Sequence, residues 1–196
     1  MKETTEPSDN VPRIDPQPME AMQADWLATL ARIPGEGLKG KYAPVHVLGT
    51  LMHNPRTMGP FLDYWVTSKL EMAYSVREQE LVILRMGFLY NCPYVWKHHV
   101  PVAREFGVTE EELTAVKSKE IPHPFSPREN ALLRLTDELV EHRTIRDEAW
   151  AAWASLLQPG EVVDLISLVS QYVLFALVNN AVRVRLETSL EEIPGL

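Results

Sequence analysis

Residues 80–99 read ELVILRMGFLYNCPYVWKHH, and this stretch decides the architecture. Leu81, Val82, Leu84, Met86, Phe88 and Leu89 are apolar at helical rather than alternating spacing. Asn91-Cys92-Pro93 then breaks the run. Upstream, Ser75 and Glu78 form a capping box that opens the first helix. Pro93 suits the first turn of a second helix, which places Cys92 at its cap; that helix runs to about Phe106, where Gly107 is a stop.

The same signals repeat outward. Thr109 with Glu112 and Ser126 with Glu129 are two more capping boxes, the latter followed by Pro127 and the apolar positions Leu132, Leu133, Leu135, Leu139 and Val140. Met22, Trp26, Leu27, Leu30 and Ile33 sit at helical spacing, a short helix is expected over 44–53, and Asn54-Pro55 marks a cap and first turn. Phe61, Trp65, Leu70 and Met72 predict a longer helix to about Ala73. Pro34-Gly35, Gly37 and Gly40 predict a loop, as does 121–125 with its two prolines. Further helices are expected over 147–157 and from Pro159 to about Glu187. Val82-Ile83 and Val162-Val163 are β-branched but lie within helical runs, so no strand is expected. The fold class is all-α, a single domain of about nine helices over 19–196. Residues 1–18, with four prolines, form a tail that is disordered or laid on the surface. Glu80/His99 and Glu161/Asn180 share a 19-residue separation, a faint echo of a duplicated helix pair.

Composition bounds the function. The chain has 196 residues, 45% hydrophobic and 23% charged, enough for one well-buried domain. Nineteen Lys+Arg against 27 Asp+Glu give a formal charge of -8, which argues against nucleic acid and anionic membrane surfaces as partners. A single cysteine makes no internal disulfide and excludes a multi-thiolate metal site. With no apolar leader near the start, a cytoplasmic location is expected. Val162 to Val178 is apolar on most of its circumference but is interrupted by Asp164, Ser167, Ser170 and Gln171, so it is not expected to span a bilayer. Such a helix is central, at a subunit contact, or both; a homo-oligomer is expected.

The chemistry-bearing residues cluster in the opening stretch. A thiol at a helix N-terminus faces free N–H groups and the positive dipole end, so the Cys92 pKa is expected to fall. Cys92, Val95 and His99 share one stripe of the second helix. If the two helices pack antiparallel, the Glu80 carboxylate reaches the same pocket, giving an acid–base set. The bland alternatives are a buried thiol and a surface glutamate. His98 and His99 point about 100° apart, and with no H-x-x-x-H no metal site is expected. Tyr94 and Trp96 either wall a pocket or fill the core. Arg85 binds a substrate carboxylate or, the favoured reading, pairs internally with Glu138 or Asp164. Pro101 predicts a kink near the histidines, and His53 is a further imidazole without an assigned place.

Glu80 to Arg85 followed by Asn91-Cys92-Pro93-Tyr94-Val95-Trp96-Lys97-His98-His99 resembles the carboxymuconolactone decarboxylase and alkylhydroperoxidase D (AhpD-like) superfamily. Its redox members carry E-x11-C-x2-C-x3-H; here Glu80, Cys92 and His99 match and Val95 stands at the second cysteine. The resemblance extends over about 44–185, through Asn54-Pro55 and Trp65, 102–109, 126–132 and 165–180. It implies the all-α superfamily fold, with trimers and hexamers common. Valine cannot attack peroxide, so the two-cysteine cycle cannot run as drawn.

The first expectation is therefore a cofactor-free, decarboxylase-like acid–base enzyme acting on a small carboxylated lactone or unsaturated cyclic acid. His99 is its general acid/base, Glu80 the orienting or proton-relay partner, Cys92 a residue lining the pocket, His98 the polarising group, and Tyr94, Val95, Trp96 and Arg85 the substrate contacts. The second is a single-cysteine thiol peroxidase using Cys92; the third is a non-catalytic ligand-binding oligomer.

Overall fold

A computed structural model describes residues 11–33, 43–118 and 124–196. Among these it holds nine α-helices and no strand: α1 (Ala24–Leu30), α2 (Val45–Leu51), α3 (Pro55–Glu71), α4 (Val76–Leu89), α5 (Pro93–Glu105), α6 (Glu110–Val116), α7 (Pro127–His142), α8 (Asp147–Ala152) and α9 (Pro159–Val182). Three short 3-10 turns, Met19–Ala21, Ala154–Leu156 and Thr188–Leu190, complete it. The expected loop at 34–40, the first ten residues of the tail and most of 121–125 lie outside the described residues.

The all-α class and the single domain are borne out. All three expected capping boxes form, at the starts of α4, α6 and α7. At the start of α9 Gln158 N donates to Glu161 Oε2 at 2.6 Å, so a fourth glutamate caps a helix there. Two arginines then cross-link these helix starts. Arg77 binds Gly107 O at 2.6 Å and the capping glutamates of α6 (Glu112) and α7 (Glu129). Arg128 binds those of α4 (Glu78, 2.7 Å) and α9 (Glu161, 2.6 Å). Each glutamate thus serves an N–H, a dipole end and a cation at once.

Several boundaries differ from the sequence expectation. Asn54 occupies the cap position of α3 but makes no side-chain cap bond. That helix ends at Glu71, short of Ala73. The helix expected over 147–157 is α8 followed by a 3-10 turn. The largest correction is α9, which stops at Val182 rather than about Glu187. Arg183 adopts a left-handed conformation (φ 56°), and Val184 N donates back to Asn179 O at 3.0 Å. Without a glycine there, the stop left no mark in the sequence. Pro101 lies inside α5 without ending it.

The α4–α5 hairpin is the most heavily packed helix pair. Asn91 turns the chain with φ 44°, and Cys92 N donates to Gly87 O at 2.8 Å, closing the turn. Gly87 is the contact point: a Cβ there would sit 3.2 Å from Trp96 N and 3.5 Å from Val95 Cγ1. Leu81, Leu84 and Trp96 face one apolar cluster, with Val116 and Leu133; Val82, Ile83, Met86 and Val95 face a larger one, with α9. That long helix is threaded through the larger core by Leu165, Leu168, Val169, Tyr172, Phe175 and Ala176. Among the described residues it is the one helix long and apolar enough to cross a membrane, and 44% of its most apolar window is buried in the domain.

The described part of the tail is laid on the surface. Arg13 N donates to Val182 O at 2.8 Å, Gln17 N to Gly49 O at 3.0 Å, and the His53 ring bonds Asp15 O at 2.8 Å. Any Cβ on Gly49 would collide with the Gln17 backbone, so the strap requires that glycine.

Gly87→Ala gains helix propensity but presses a methyl against the fixed backbone of α5. The expected result is a net destabilisation of about 1–2 kcal/mol, read as a lower urea midpoint with unchanged m.

Candidate functional site

The hairpin register carries Glu80, in the second turn of α4, to His99, in the second turn of α5. Glu80 is completely buried, which corrects the surface-glutamate alternative. Its Oε2 lies 2.6 Å from His99 Nδ1, and Lys69 Nζ on α3 approaches its other oxygen at 3.4 Å. Burial alone would raise the Glu80 pKa; the charges and hydrogen bonds of His99 and Lys69 outweigh it and hold the carboxyl below its ordinary value. The group is therefore a carboxylate, and Nδ1 of His99 is the nitrogen that donates to it. The lone pair of Nε2 then accepts from Tyr172 OH on α9 at 3.2 Å. The Tyr172 pKa is raised well above its usual value, by burial first and by the Glu80 charge second, so its proton is available to donate.

The neighbouring imidazole points elsewhere. His98 Nε2 lies 2.8 Å from Glu187 Oε2, and the Tyr94 ring stacks on it at 4.4 Å between centroids. Glu187 comes from the segment after α9. It also accepts from Tyr94 OH at 2.8 Å and from His46 N at 2.9 Å. Burial raises the Glu187 pKa, but His98, His46 and Tyr94 together bring it below the ordinary value. Burial and the Glu187 charge push the Tyr94 pKa far up. Two carboxylate–imidazole pairs thus stand side by side on α5, each served from a different element.

Both histidines line an inner pocket of about 40 Å³, together with Tyr94, Val95, Tyr172, Asn179 and an apolar shell that includes Val47, Trp65 and Phe175. Tyr94 and Asn179 also line an open cleft of about 780 Å³, whose other walls include His46, Arg183, Arg185 and Glu187. The small pocket holds roughly three waters.

Several expected site residues lie elsewhere. Cys92 is the cap of α5, but it is fully buried and lines neither cavity. Its pKa is pushed up to about 11 rather than down: burial outweighs the donors of Val95 and Tyr94. Trp96 is turned into the other core, with Nε1 donating to Pro194 O at 3.0 Å. Arg85 is 2% exposed and pairs internally, as favoured, but with Asp137 at 2.6 and 2.9 Å rather than Glu138 or Asp164; it also caps Val116 O and Ser118 O. His53 binds the tail strap. Asn180, the partner in the proposed echo, ties the hairpin turn through Tyr90 O at 2.9 Å, and Glu161 caps α9, so the echo makes no second site. Among the described residues no three His, Cys, Asp or Glu side chains gather to hold a metal. Lys69, Tyr172, Asn179, Glu187 and His46 escaped the sequence expectation. Of these, Tyr172 and Asn179 left one trace, as polar groups in the apolar run of α9.

Residues 60–138 match the family model for the carboxymuconolactone decarboxylase family, so the superfamily resemblance is borne out over the segment that holds Glu80 and His99. Three solved structures share the fold. An uncharacterized peroxidase-related protein from Silicibacter sp. TM1040 has a TM-score of 0.71 and 16% identity, over 98% of each chain. The debrominase Bmp8 has a TM-score of 0.70 and 12% identity, over 90% of this chain and 92% of that one; it is also known as a cysteine-to-alanine variant in complex with 2,3,4-tribromopyrrole. A protein of unknown function from Agrobacterium tumefaciens, provisionally assigned as the antioxidant defence protein AhpD, has a TM-score of 0.63 and 15% identity, over 69% of this chain and 93% of that one. At these identities the likeness is one of fold. No curated protein matches the chain.

Because the folded Glu80 pKa is depressed, its pairing stabilises the fold above about pH 4.5 and the stabilisation fades as acid protonates it. Glu80→Gln is expected to cost about 3 kcal/mol at pH 7, and the gap to wild type should narrow in urea titrations at pH 4. A gap independent of pH would show that the carboxylate is protonated in the native protein.

Proposed function

We propose that this chain is a cofactor-free acid–base enzyme, cytoplasmic, acting on a small cyclic or unsaturated acid by a decarboxylase-like reaction. One observation carries the reading: ionised Glu80 fixes the His99 tautomer, leaving Nε2 on the pocket wall against the Tyr172 hydroxyl. That is the arrangement of a positioned base with a proton donor beside it. In such a reaction the electrons of the C–CO2 bond move into a conjugated carbonyl, giving carbon dioxide and an enolate. His99 Nε2 would first take the proton of the substrate's carboxylic acid; Tyr172 OH would turn its hydrogen bond to the enolate oxygen, and protonated His99 would deliver that proton to carbon, so that the acid yields its decarboxylated product and carbon dioxide with His99 neutral again. His98, held by Glu187, would face the substrate from the adjoining wall. The substrate would lie in the outer cleft, its carboxylate beside Arg183 and Arg185, with its reacting end turned to the inner pocket. The debrominase complex supports a small flat ring as the kind of ligand this fold seats.

One structural relative is a peroxidase-related protein and another is provisionally assigned as an antioxidant defence protein, and a single-cysteine peroxidase is the second reading. The buried Cys92, with its pKa pushed up to about 11, argues against it, since the thiolate is the nucleophile.

The test is carbon dioxide release across a panel of lactone and β-keto acids, with Cys92 oxidation by an organic hydroperoxide followed by intact mass. His99→Gln is expected to lower turnover at least 100-fold while Cys92→Ser keeps most of it. Cys92 should oxidise no faster than an ordinary free thiol. The reverse pattern in both would hand the site to the peroxidase.

We also propose a homo-oligomer, a trimer or hexamer, built on α9. Val163, Ile166, Leu174 and Leu177 lie on one helical face and are 39–62% exposed. Ile166→Glu with Leu177→Glu should reduce the assembly to monomer in light scattering; an unchanged mass would place the contact elsewhere.

A further inference from the structure

The last turn of α3 is tied to both helices that face His99. Glu80 on α4 and Tyr172 on α9 are each preceded in sequence by a buried glutamine, and both glutamines are anchored on the end of α3. Gln79 Nε2 donates to Lys69 O at 3.2 Å, and Gln171 Nε2 donates to Ser68 Oγ at 2.6 Å. From that fixed turn Lys69 Nζ reaches Glu80 Oε1 at 3.4 Å, while His99 holds the other oxygen. The Lys69 side chain is 20% exposed and that of Glu80 not at all, so water does not screen the carboxylate.

Charge balance gives this contact its meaning. A carboxylate taken out of water needs a compensating cation. His99 can supply one only by taking a proton, and an imidazole so occupied no longer accepts one from a substrate. Lys69 supplies the cation without that loss. With carboxylate and ammonium paired, the cluster is neutral while the imidazole is neutral. We propose that Lys69 is a positioning residue for the base. Its ammonium group balances Glu80, which leaves His99 uncharged, with its proton on Nδ1 and its lone pair on Nε2. The other titratable groups around the pair do not take this role. Tyr172, from α9, brings no positive charge, and His98, the neighbour on α5, is held by Glu187. The inference rests on the acid–base reading for its use, but its test needs no substrate.

The test follows the His99 ring nitrogens by NMR in protein carrying isotope-labelled histidine, with the signals assigned by their loss in His99→Gln. Wild type, Lys69→Met, Lys69→Gln and Lys69→Arg are titrated from about pH 5 to 9. The two neutral variants should raise the midpoint at which His99 takes up its second ring proton by about one pH unit, a tenfold gain in proton affinity. Lys69→Arg should stay within about a third of that shift, because the cation is kept. A lysine that merely packs would lower Tm in all three variants and leave the midpoints alike. Unchanged midpoints, or an equal rise in Lys69→Arg, would overturn the inference. Absence of carbon dioxide release from every acid tried would sink the acid–base reading and leave these midpoints as they are, so the two fail separately.

Discussion

Everything at the site depends on how closely α5 lies against α4. Gly87 removes the one side chain that would hold the helices apart at the turn. The turn itself is closed by a bond from Cys92 N to Gly87 O. With contact fixed at that end, helical repeat alone determines which residues meet further along. Glu80 and His99 are each about two turns from the turn region, and they meet at 2.6 Å. A looser hairpin would leave Glu80 as an unpaired buried charge, which is strongly unfavourable. The pair is thus a consequence of the hairpin and a penalty on any alternative register.

The outer frame is electrostatic in a different way. Four helix N-termini, each with a positive dipole end, are cross-linked through Arg77 and Arg128. Cations among like-signed dipoles would be unfavourable without the four capping glutamates, which sit between them. Partial exposure makes each ion pair worth little singly. Their value lies in fixing directions: Arg128 ties α4 to α9 through Glu78 and Glu161.

Most of the frame was legible because capping boxes and proline positions are local signals. Ser75/Glu78, Thr109/Glu112 and Ser126/Glu129 needed only the sequence between them. Glu80 and His99 were legible as a pair by spacing, although their contact waited on packing. Cys92 was misjudged because a local rule, the helix N-terminus, was weighed without a non-local one, complete burial. Glu187 was invisible for a related reason. It belongs to the site only because α9 stops at Arg183 in a left-handed turn, and arginine carries no signal for that conformation. Trp96 and Val95 are adjacent, and side-chain direction sent one to each core; composition could not say which.

The two imidazoles divide the chain. Glu80 and His99 fall within the family-matched stretch, residues 60–138, as does Lys69. Tyr172, Asn179 and Glu187 all lie beyond it, on α9 and the segment that follows. Adjacent helical residues point about 100° apart, so no single partner helix can serve both His98 and His99. The hairpin supplies its own carboxylate for His99; the chain past α9 must return to supply one for His98. The buried carboxylate–imidazole pair therefore belongs to the hairpin, while Tyr172, Asn179 and Glu187, which complete the pocket walls, come from the C-terminal third. The pocket can thus be reshaped by changes in α9 and its exit without altering the hairpin pair.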